Sequence, residues 1–229
     1  MSERNGSAGG PVITRWLTQY PSAFLLGMQV AAIVVYPFVG EREAGRAALS
    51  LIGTLVLGLA IWTIRSTANH VVPALVLGVL AVVLSLVEIV SPSGSGWHLV
   101  SDVVHSLFYF YTSYALVRYL FGDDWVTSDD LFAVGAAFTV VAWGFAYVFD
   151  AVQILVPSSF IAYQGAGDRT WFELLYLSFA NLTSVGLSDI VPVTRQARAW
   201  SMLEQLAGVL YVAMVISRMV SLTVRRARH

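Results

Sequence analysis

The sequence has 229 residues, of which 57% are hydrophobic and only 12% are charged. A soluble domain is usually about 45–50% apolar and about 25% charged, so this composition favours a protein that uses lipid as the solvent for much of its surface. The net charge of −1 gives no indication of nucleic-acid binding, and the lack of cysteine excludes disulfides, thiolate metal sites and cysteine nucleophiles.

Six long apolar runs follow a polar N-terminal segment. Residues 1–12 predict a cytoplasmic tail, and residues 13–20 predict a short interfacial helix. Each run is close to the ~20 residues that a helix needs to cross a bilayer. The runs lie at about 22–39, 48–64, 71–91, 99–120, 131–154 and 199–224. Turn residues and charges fill the breaks between them.

Arginine placement predicts the topology, because cytoplasmic segments of membrane proteins carry an excess of positive residues. With both termini in the cytoplasm, the inside group is Arg4, Arg15, Arg65, Arg118, Arg218, Arg225, Arg226 and Arg228. The outside group is then Arg42, Arg46, Arg169, Arg195 and Arg198. The larger inside group predicts a multi-pass protein of the cell membrane with cytoplasmic N and C termini.

The segment between the fifth and sixth runs contains a different kind of element. Residues 171–182 (WFELLYLSFANL) are apolar and aromatic, but they make only about three helical turns, too few to cross a bilayer. The heptapeptide 183–189 (TSVGLSD) follows, ahead of the last run. A short helix that enters the membrane and returns as extended backbone is stable only where protein or a water-filled cavity surrounds it.

This order of elements makes residues 131–224 similar to the pore module of the tetrameric potassium channel superfamily, which has an outer helix, a pore helix, a selectivity filter and an inner helix. The heptapeptide resembles the family's filter pattern T-V-G-Y-G-D. The residues that align with the six positions of this pattern are, in order, Ser184, Val185, Gly186, Leu187, Ser188 and Asp189.

The resemblance implies an all-α membrane protein of about six spans, assembled as a four-fold symmetric homotetramer in the lipid bilayer. Four copies of the filter would replace the water around a potassium ion with rings of main-chain carbonyl oxygens. The implied ligands are the carbonyls of Thr183, Val185, Gly186 and Leu187, together with the Ser184 hydroxyl. No cofactor is implied besides the permeant potassium ions.

Two residues depart from the family pattern. Leu187 lacks the phenolic hydroxyl that, in the family, ties the filter to the surrounding aromatic residues, although its backbone carbonyl remains. Ser188 replaces a glycine, and left-handed backbone costs a residue with a Cβ roughly 1–2 kcal/mol. A weakly selective pathway for Na⁺ and K⁺ is therefore the main alternative to a potassium channel.

The last run carries two candidate supporting residues. The resemblance implies a gating hinge at Gly208, and close helix packing is the alternative reason for a glycine in a membrane helix. Glu204 is an acid within a span, and such an acid normally has a partner. We expect Glu204 to brace the filter by hydrogen bonding to a group such as Tyr176 or Asn181, and a carboxylate in water at the pore rim is the alternative.

The first four runs occupy the place of a voltage-sensor domain but lack its chemistry. We predict a tail at 1–21, a four-helix sensor-like domain at 22–121 and a pore domain at 122–229. A voltage sensor needs several arginines on its fourth span, since each charge that crosses the field contributes about 2.3 kcal/mol per 100 mV. The fourth run holds only Arg118, which predicts little intrinsic voltage dependence.

Four titratable residues near the outer ends of the third and fourth runs form a further candidate site. His98, Asp102 and His105 are spaced i, i+4 and i+7 and share one helix face, and Glu88 lies close to the end of the third run. These residue types fit a weak divalent-metal site or a proton sensor that biases gating. An interhelical hydrogen-bond network is the alternative.

Other functional classes fit less well. The sequence has no nucleophile–base arrangement, no HExxH and no Gly-rich phosphate loop, so no enzyme is predicted. A secondary cation transporter would need broken helices and an internal repeat, and a non-conducting membrane sensor is a third alternative. Because few residues follow the last run, we expect gating by a ligand to need a separate regulatory protein.

Overall fold

The computed structural model describes residues 20–39, 53–54, 68–90, 96–122, 127–163, 165 and 167–227. Within these ranges the chain forms helices and one two-stranded ribbon. The helices are α1 (Pro21–Val39), α2 (Ala68–Val90), α3 (Trp97–Gly122), α4 (Ser128–Leu155), α5 (Trp171–Leu182) and α6 (Arg195–Ala227). The strands β1 (Phe160–Ile161) and β2 (Val191–Pro192) pair antiparallel.

The helices follow the predicted apolar runs. The run at 48–64 lies outside the described residues apart from 53 and 54, which are helical. The stretches that are long and apolar enough to cross a membrane are Pro21–Phe38, Asp129–Leu155 and Arg195–Arg218, and α2 contains the shorter apolar stretch Val72–Glu88. The prediction of an all-α membrane fold is therefore confirmed for the described residues, with the short ribbon as an addition.

Helix α1 runs parallel to α4 and is attached to it from its first turn. The backbone N–H of Ser22 donates to Asp129 Oδ1 at 3.0 Å, and the Ser22 hydroxyl donates to Asp129 Oδ2 at 2.7 Å. Two turns further along both helices, Gln29 donates to the carbonyl of Ala136 at 3.5 Å. Because the first N–H groups of a helix have no partner within it, the Asp129 carboxylate caps α1 from a neighbouring helix.

We expect Asp129→Ala to lower the free energy of unfolding by about 1–3 kcal/mol, because a buried donor that loses its acceptor costs this much. Ser22→Ala removes only the hydroxyl bond and should cost roughly half as much. Thermal unfolding of the purified chain in detergent measures both variants. An Asp129→Ala protein as stable as the wild type would show that this contact does not hold α1 in place.

Helix α3 packs between α2 and α4. Ser85 of α2 hydrogen-bonds to the ring of His105 on α3. The same ring stacks on Tyr147 of α4, with the centroids 4.8 Å apart. Two turns further along α3, Ser113 donates to the carbonyl of Ala137 at 3.3 Å. As the numbers rise along α3 they fall along α4, so these two helices are antiparallel.

Aromatic side chains fill the core where α1, α3, α4 and α5 meet. Trp171, the first residue of α5, packs edge-on against Trp143 with the ring centroids 5.5 Å apart. It also contacts Tyr147 at 5.2 Å and Tyr36 of α1 at 5.7 Å. Tyr109 of α3 joins the cluster through Trp143 and Tyr147. The start of α5 is thus in direct contact with α1 and α4, and α3 packs against the same cluster through Tyr109.

The long helix α6 completes the packing against α4. The hydroxyl of Tyr211 donates to the carbonyl of Val134 at 2.6 Å, and near the far end of α6 the guanidinium of Arg218 lies 5.3 Å from the ring centroid of Phe121 on α3. Both α1 and α3 therefore contact helices of the predicted pore domain. The predicted boundary between residues 121 and 122 separates helices that are in direct contact.

Candidate functional site

Helix α5 is short because a capping box starts it and a change of backbone direction ends it. Thr170 Oγ1 accepts from the N–H of Glu173 at 3.3 Å, and Glu173 Oε2 accepts from the N–H of Thr170 at 2.6 Å. Its 12 residues make it about 18 Å long, little more than half of the ~30 Å hydrocarbon core. It packs against α4 on one side and α6 on the other.

The heptapeptide 183–189 begins at the C-cap residue of α5, Thr183. Ser184 has a φ of +59° and Gly186 a φ of +68°, both in the left-handed region. Their N–H groups donate to the carbonyls of Asn181 at 2.9 Å and Ala180 at 3.0 Å. These carbonyls belong to the last turn of α5, where the helix itself supplies no donor. The two left-handed residues thus turn the chain away from the end of α5.

The structure corrects the predicted strain at Ser188. Among the described residues other than glycine, only Ser158 and Ser184 have a positive φ. The N–H of Ser188 donates to the carbonyl of Gly186 at 3.1 Å, and its hydroxyl accepts from the N–H of Ile190 at 3.0 Å. The expectation of left-handed backbone at Ser188 is therefore wrong, because its hydroxyl stabilises a turn that ordinary backbone can form.

The middle of the heptapeptide is open in the single chain, whereas its flanks are fixed. Val185 is 69% exposed and Leu187 is 73% exposed, although both side chains are apolar. Asp189 is also exposed. The flanking residues Leu182 and Ile190 are buried. A segment anchored at both ends therefore leaves apolar side chains exposed between its anchors.

Glu204 of α6 is fully buried next to α5. Its Oε2 accepts from Asn181 Nδ2 at 3.1 Å, and its Oε1 is hydrogen-bonded to the hydroxyl of Ser178, which also lies 2.7 Å from the carbonyl oxygen of Ala142 on α4. Asn181 is thus in contact with Glu204 as expected. Tyr176 is 45% exposed and, in the described part of the chain, has no hydrogen bond to Glu204.

The contact with Ser178 was missed by sequence reasoning, although a signal was present. Ser178 and Asn181 are three residues apart, and residues at this spacing share a helix face. They are also the polar residues in the second half of the apolar run 171–182. The alternative of a carboxylate in water is wrong, because no part of Glu204 is accessible to solvent.

Gly208 lies one turn after Glu204, against the last residue of α5. A Cβ added at Gly208 would overlap the carbonyl oxygen of Leu182 and lie 2.8 Å from the Leu182 carbonyl carbon. Both atoms belong to the backbone, so they cannot give way as a flexible side chain could. The absence of a side chain at this position therefore allows close packing of α6 on the end of α5, which is the packing interpretation of this glycine.

The structure separates the four residues of the predicted metal or proton site. His98 Nδ1 lies 3.4 Å from Glu88 Oε1, whereas His105 is completely buried and its Nε2 lies 3.1 Å from the hydroxyl of Ser85. Asp102 is buried on α3. No three His, Asp or Glu side chains in the described ranges are grouped so that they could bind a metal. The predicted metal site is therefore wrong, because Glu88 and His98 meet across α2 and α3 without a third ligand grouped with them in the described ranges.

A polar junction that the sequence did not reveal connects the end of α4 to the start of α5. Gln153 Oε1 accepts from the N–H of Arg169 at 3.0 Å, and Gln153 Nε2 donates to the Arg169 carbonyl at 2.8 Å and to Asp150 Oδ1 at 2.7 Å. The buried guanidinium of Arg169 donates to the carbonyls of Gly165 at 3.2 Å and Gly167 at 2.6 Å. The connection after α4 is thus fixed next to the cap of α5.

The ribbon fixes the chain on the other side of the heptapeptide. Next to the β1–β2 pair, the N–H of Val193 donates to the carbonyl of Ser159 at 2.9 Å. The hydroxyls of Ser159 and Thr194 lie 2.9 Å apart, and Thr194 Oγ1 accepts from the N–H of Ala197 in the first turn of α6 at 3.3 Å. The segment that follows the heptapeptide is therefore attached to the segment that follows α4.

The comparison with protein families matches residues 135–225 to a family described as "Ion channel". Searches among curated proteins and among solved structures found no match for this chain. The matched region begins in α4, includes α5 and the heptapeptide, and ends in α6, which are the elements whose packing is described above. The family is one of ion channels and not of enzymes. Residues 135–225 of this chain are therefore similar to a family of pore-loop ion channels.

Proposed function

We propose that the chain is the subunit of a homotetrameric potassium channel of the cell membrane, with residues 183–189 as the selectivity filter. The observation that carries this proposal is the heptapeptide itself, which is fixed at both ends and open between them at the end of a half-membrane helix. Left-handed backbone at Ser184 and Gly186, interspersed with residues of ordinary φ, would allow successive carbonyls to point toward one axis, as a column of carbonyl rings requires. The C terminus of α5 would direct partial negative charge toward a cation in the pore.

Assembly into a tetramer would cover apolar surface that the single chain leaves open. The α6 side chains Leu203, Leu206, Val209 and Leu210 are between 52% and 55% exposed and follow one another at helical spacing. Val185 and Leu187 of the heptapeptide are also exposed. Four copies around one axis would pack these apolar faces together and bring four copies of the filter into one ring. The exposed Asp189 would then concentrate cations at the mouth.

We also propose that the channel has little intrinsic voltage dependence and that both termini are cytoplasmic. Arg118 is the one arginine of α3, and its NH1 lies 3.4 Å from the hydroxyl of Tyr114 on the same helix. One such charge per subunit would contribute little work in the membrane field. The parallel packing of α1 and α4 supports placing the start of both helices on the same side, which arginine placement assigns to the cytoplasm.

A weakly selective pathway for Na⁺ and K⁺ is the second candidate, and it is favoured by the outer half of the filter. Ser188 forms a side-chain turn with Ile190 where the potassium channels have a glycine, and Leu187 cannot donate the hydrogen bond that their tyrosine donates. The outer carbonyl rings would then be held less firmly than the inner ones. Selectivity between the two ions depends on how well such carbonyls are positioned.

Ion flux from liposomes that contain the purified chain tests these functions. A fast, saturation-free potassium leak with a much slower sodium leak is the expected result. Equally fast leaks of both ions would indicate the weakly selective pathway. Slow saturable exchange would indicate a secondary transporter, and liposomes without flux would indicate a non-conducting membrane sensor.

The variant Gly186→Ala should reduce potassium flux by at least about tenfold, which corresponds to ~1.4 kcal/mol. A Cβ at this left-handed position costs about 1–2 kcal/mol in each subunit, and all four subunits contribute to each ring. Gly167→Ala is the matched control, because both glycines have a positive φ and neither has an atom within 4 Å of an added Cβ. Normal potassium flux in Gly186→Ala would contradict the assignment of residues 183–189 as the selectivity filter.

We further propose that Glu204 and Asn181 support the filter from behind, because they join α6 to the last turn of α5 directly before Thr183. Tyr176 is proposed to contact the neighbouring subunit, since it is exposed in the single chain.

A further inference from the structure

The proton of a buried acid behind the filter can be located from its hydrogen-bond partners. Glu204 has no exposed surface, and its position in α6 lies within the membrane-spanning stretch Arg195–Arg218. The groups that face it are Ser178 and Asn181 from α5 and the Ala142 carbonyl from α4. None of these groups titrates, and within the described ranges no arginine or histidine forms an ion pair with Glu204. A charged carboxylate here would lack the partner that an ion within a membrane normally has.

The hydrogen bonds of the Ser178 hydroxyl indicate whether Glu204 carries a proton. It is within hydrogen-bonding distance of two oxygens, the carbonyl oxygen of Ala142 at 2.7 Å and Oε1 of Glu204. A serine hydroxyl has one hydrogen to donate. If Glu204 were a carboxylate, its Oε1 and the Ala142 carbonyl oxygen could only accept hydrogen bonds. One of these two oxygens would then contact Ser178 Oγ without a hydrogen between them.

A proton on Glu204 Oε1 gives each contact one hydrogen. The carboxylic acid then donates to Ser178 Oγ, and Ser178 donates to the carbonyl of Ala142. Asn181 Nδ2 donates to the remaining carboxyl oxygen, Oε2, at 3.1 Å. The result is a chain of directed hydrogen bonds that runs from α6 through α5 to α4, with all of the buried polar atoms satisfied as buried groups normally are.

We propose that Glu204 is a neutral carboxylic acid in the folded channel and that its proton is the donor that holds the last turn of α5 between α4 and α6. Glu204 is a positioning residue, because it acts on the filter through Ser178 and Asn181 and touches no permeant ion. The inference rests on the proposed function for its effect on flux, whereas the position of the proton rests on the hydrogen-bond geometry alone.

Infrared difference spectroscopy of the full chain tests the position of the proton without depending on flux. The spectrum of the wild type minus that of Glu204→Gln in deuterated buffer at neutral pH should contain the carbonyl stretching band of a protonated carboxylic acid. In Ser178→Ala the band should persist and move to higher frequency, because the acid loses the acceptor for its hydrogen bond. A difference spectrum with carboxylate bands instead would show that Glu204 is ionised and would overturn the proposal.

Potassium flux tests whether a neutral donor is sufficient. Gln at 204 can donate through its amide N–H₂ to Ser178 and accept through its oxygen from Asn181, so its flux should remain within about threefold of the wild type. Glu204→Ala leaves Ser178 and Asn181 without their partner, and its flux should fall by at least about tenfold, since unsatisfied buried groups are costly. Equal loss in both variants would overturn the proposal. A wild type without any flux would instead reject the proposed channel function, and the infrared result would still decide the proton.

Discussion

We expect Gly208→Ala to prevent the stable folding of the pore helices, with a loss of at least about 3 kcal/mol per subunit, the upper end of what overpacking a core usually costs. The added Cβ would overlap the backbone carbonyl oxygen of Leu182, so α6 and α5 would have to separate. Because Leu182 directly precedes the proposed filter, this separation should also abolish the proposed potassium flux. Thermal unfolding in detergent and liposome flux measure the two effects.

Gly27→Ala is the matched control for this substitution. Gly27 is also within a membrane helix, α1, and no atom lies within 4 Å of a Cβ added there. Alanine is favoured over glycine in a helix interior by about 0.5–1 kcal/mol, so this variant should be as stable as the wild type or slightly more stable. The two glycine-to-alanine changes should therefore shift stability in opposite directions.

The same experiment separates the two interpretations of Gly208. If this glycine acts only as a hinge, alanine should change how often the channel opens and leave the stability of the folded protein almost unchanged. If it is required for packing, stability and flux should decrease together. A stable Gly208→Ala protein with altered opening would contradict the packing interpretation.

The helices could be predicted from the sequence because apolar length alone decides what can cross a bilayer. Helix α5 could be predicted in the same way, since the run 171–182 is too short to span and too apolar to be an exposed loop. The proposed position of the filter rests on its place between α5 and the last span. None of these three predictions depends on which side chains meet in space.

The errors arose where the outcome depends on contacts between distant parts of the chain. The left-handed backbone lies at Ser184 and not at Ser188, because hydrogen bonds to the end of α5 determine which residue turns the chain. His98 and His105 share a helix face in sequence, but only the structure shows that His105 is enclosed between α2 and α4. The roles of Ser178 and Gly208 likewise depend on which backbone lies opposite them.

The junction around Gln153 was also invisible in the sequence, because its partner is a backbone group 16 residues away. A glutamine near the end of an apolar run predicts little by itself. In the structure its side-chain amide satisfies both the N–H and the carbonyl of Arg169. Polar side chains that replace a missing backbone partner are needed wherever a buried connection has no strand beside it.

We expect Gln153→Leu to lower the free energy of unfolding by about 2–6 kcal/mol, because it removes the hydrogen bonds from Gln153 to both backbone groups of Arg169 and each such loss at a buried group costs about 1–3 kcal/mol. The variant should open locally around Arg169 under conditions in which the rest of the chain stays folded. Arg169 precedes the cap of α5, so hydrogen exchange of its amide should become faster in the variant. Peptides that cover residues 167–175 would report this change by mass spectrometry.

Gln29→Leu is the control, since it makes the same change at another buried glutamine of a membrane helix. Gln29 has one long hydrogen bond, 3.5 Å to the Ala136 carbonyl, and its Oε1 has no partner among the described residues. Leucine removes this unsatisfied oxygen, so the variant should be about as stable as the wild type. The difference between the two variants measures the polar junction itself, because the loss of a glutamine and the gain of a leucine are common to both. If Gln153→Leu were no less stable than Gln29→Leu, or if exchange at Arg169 were unchanged, the junction would not be what holds the start of α5.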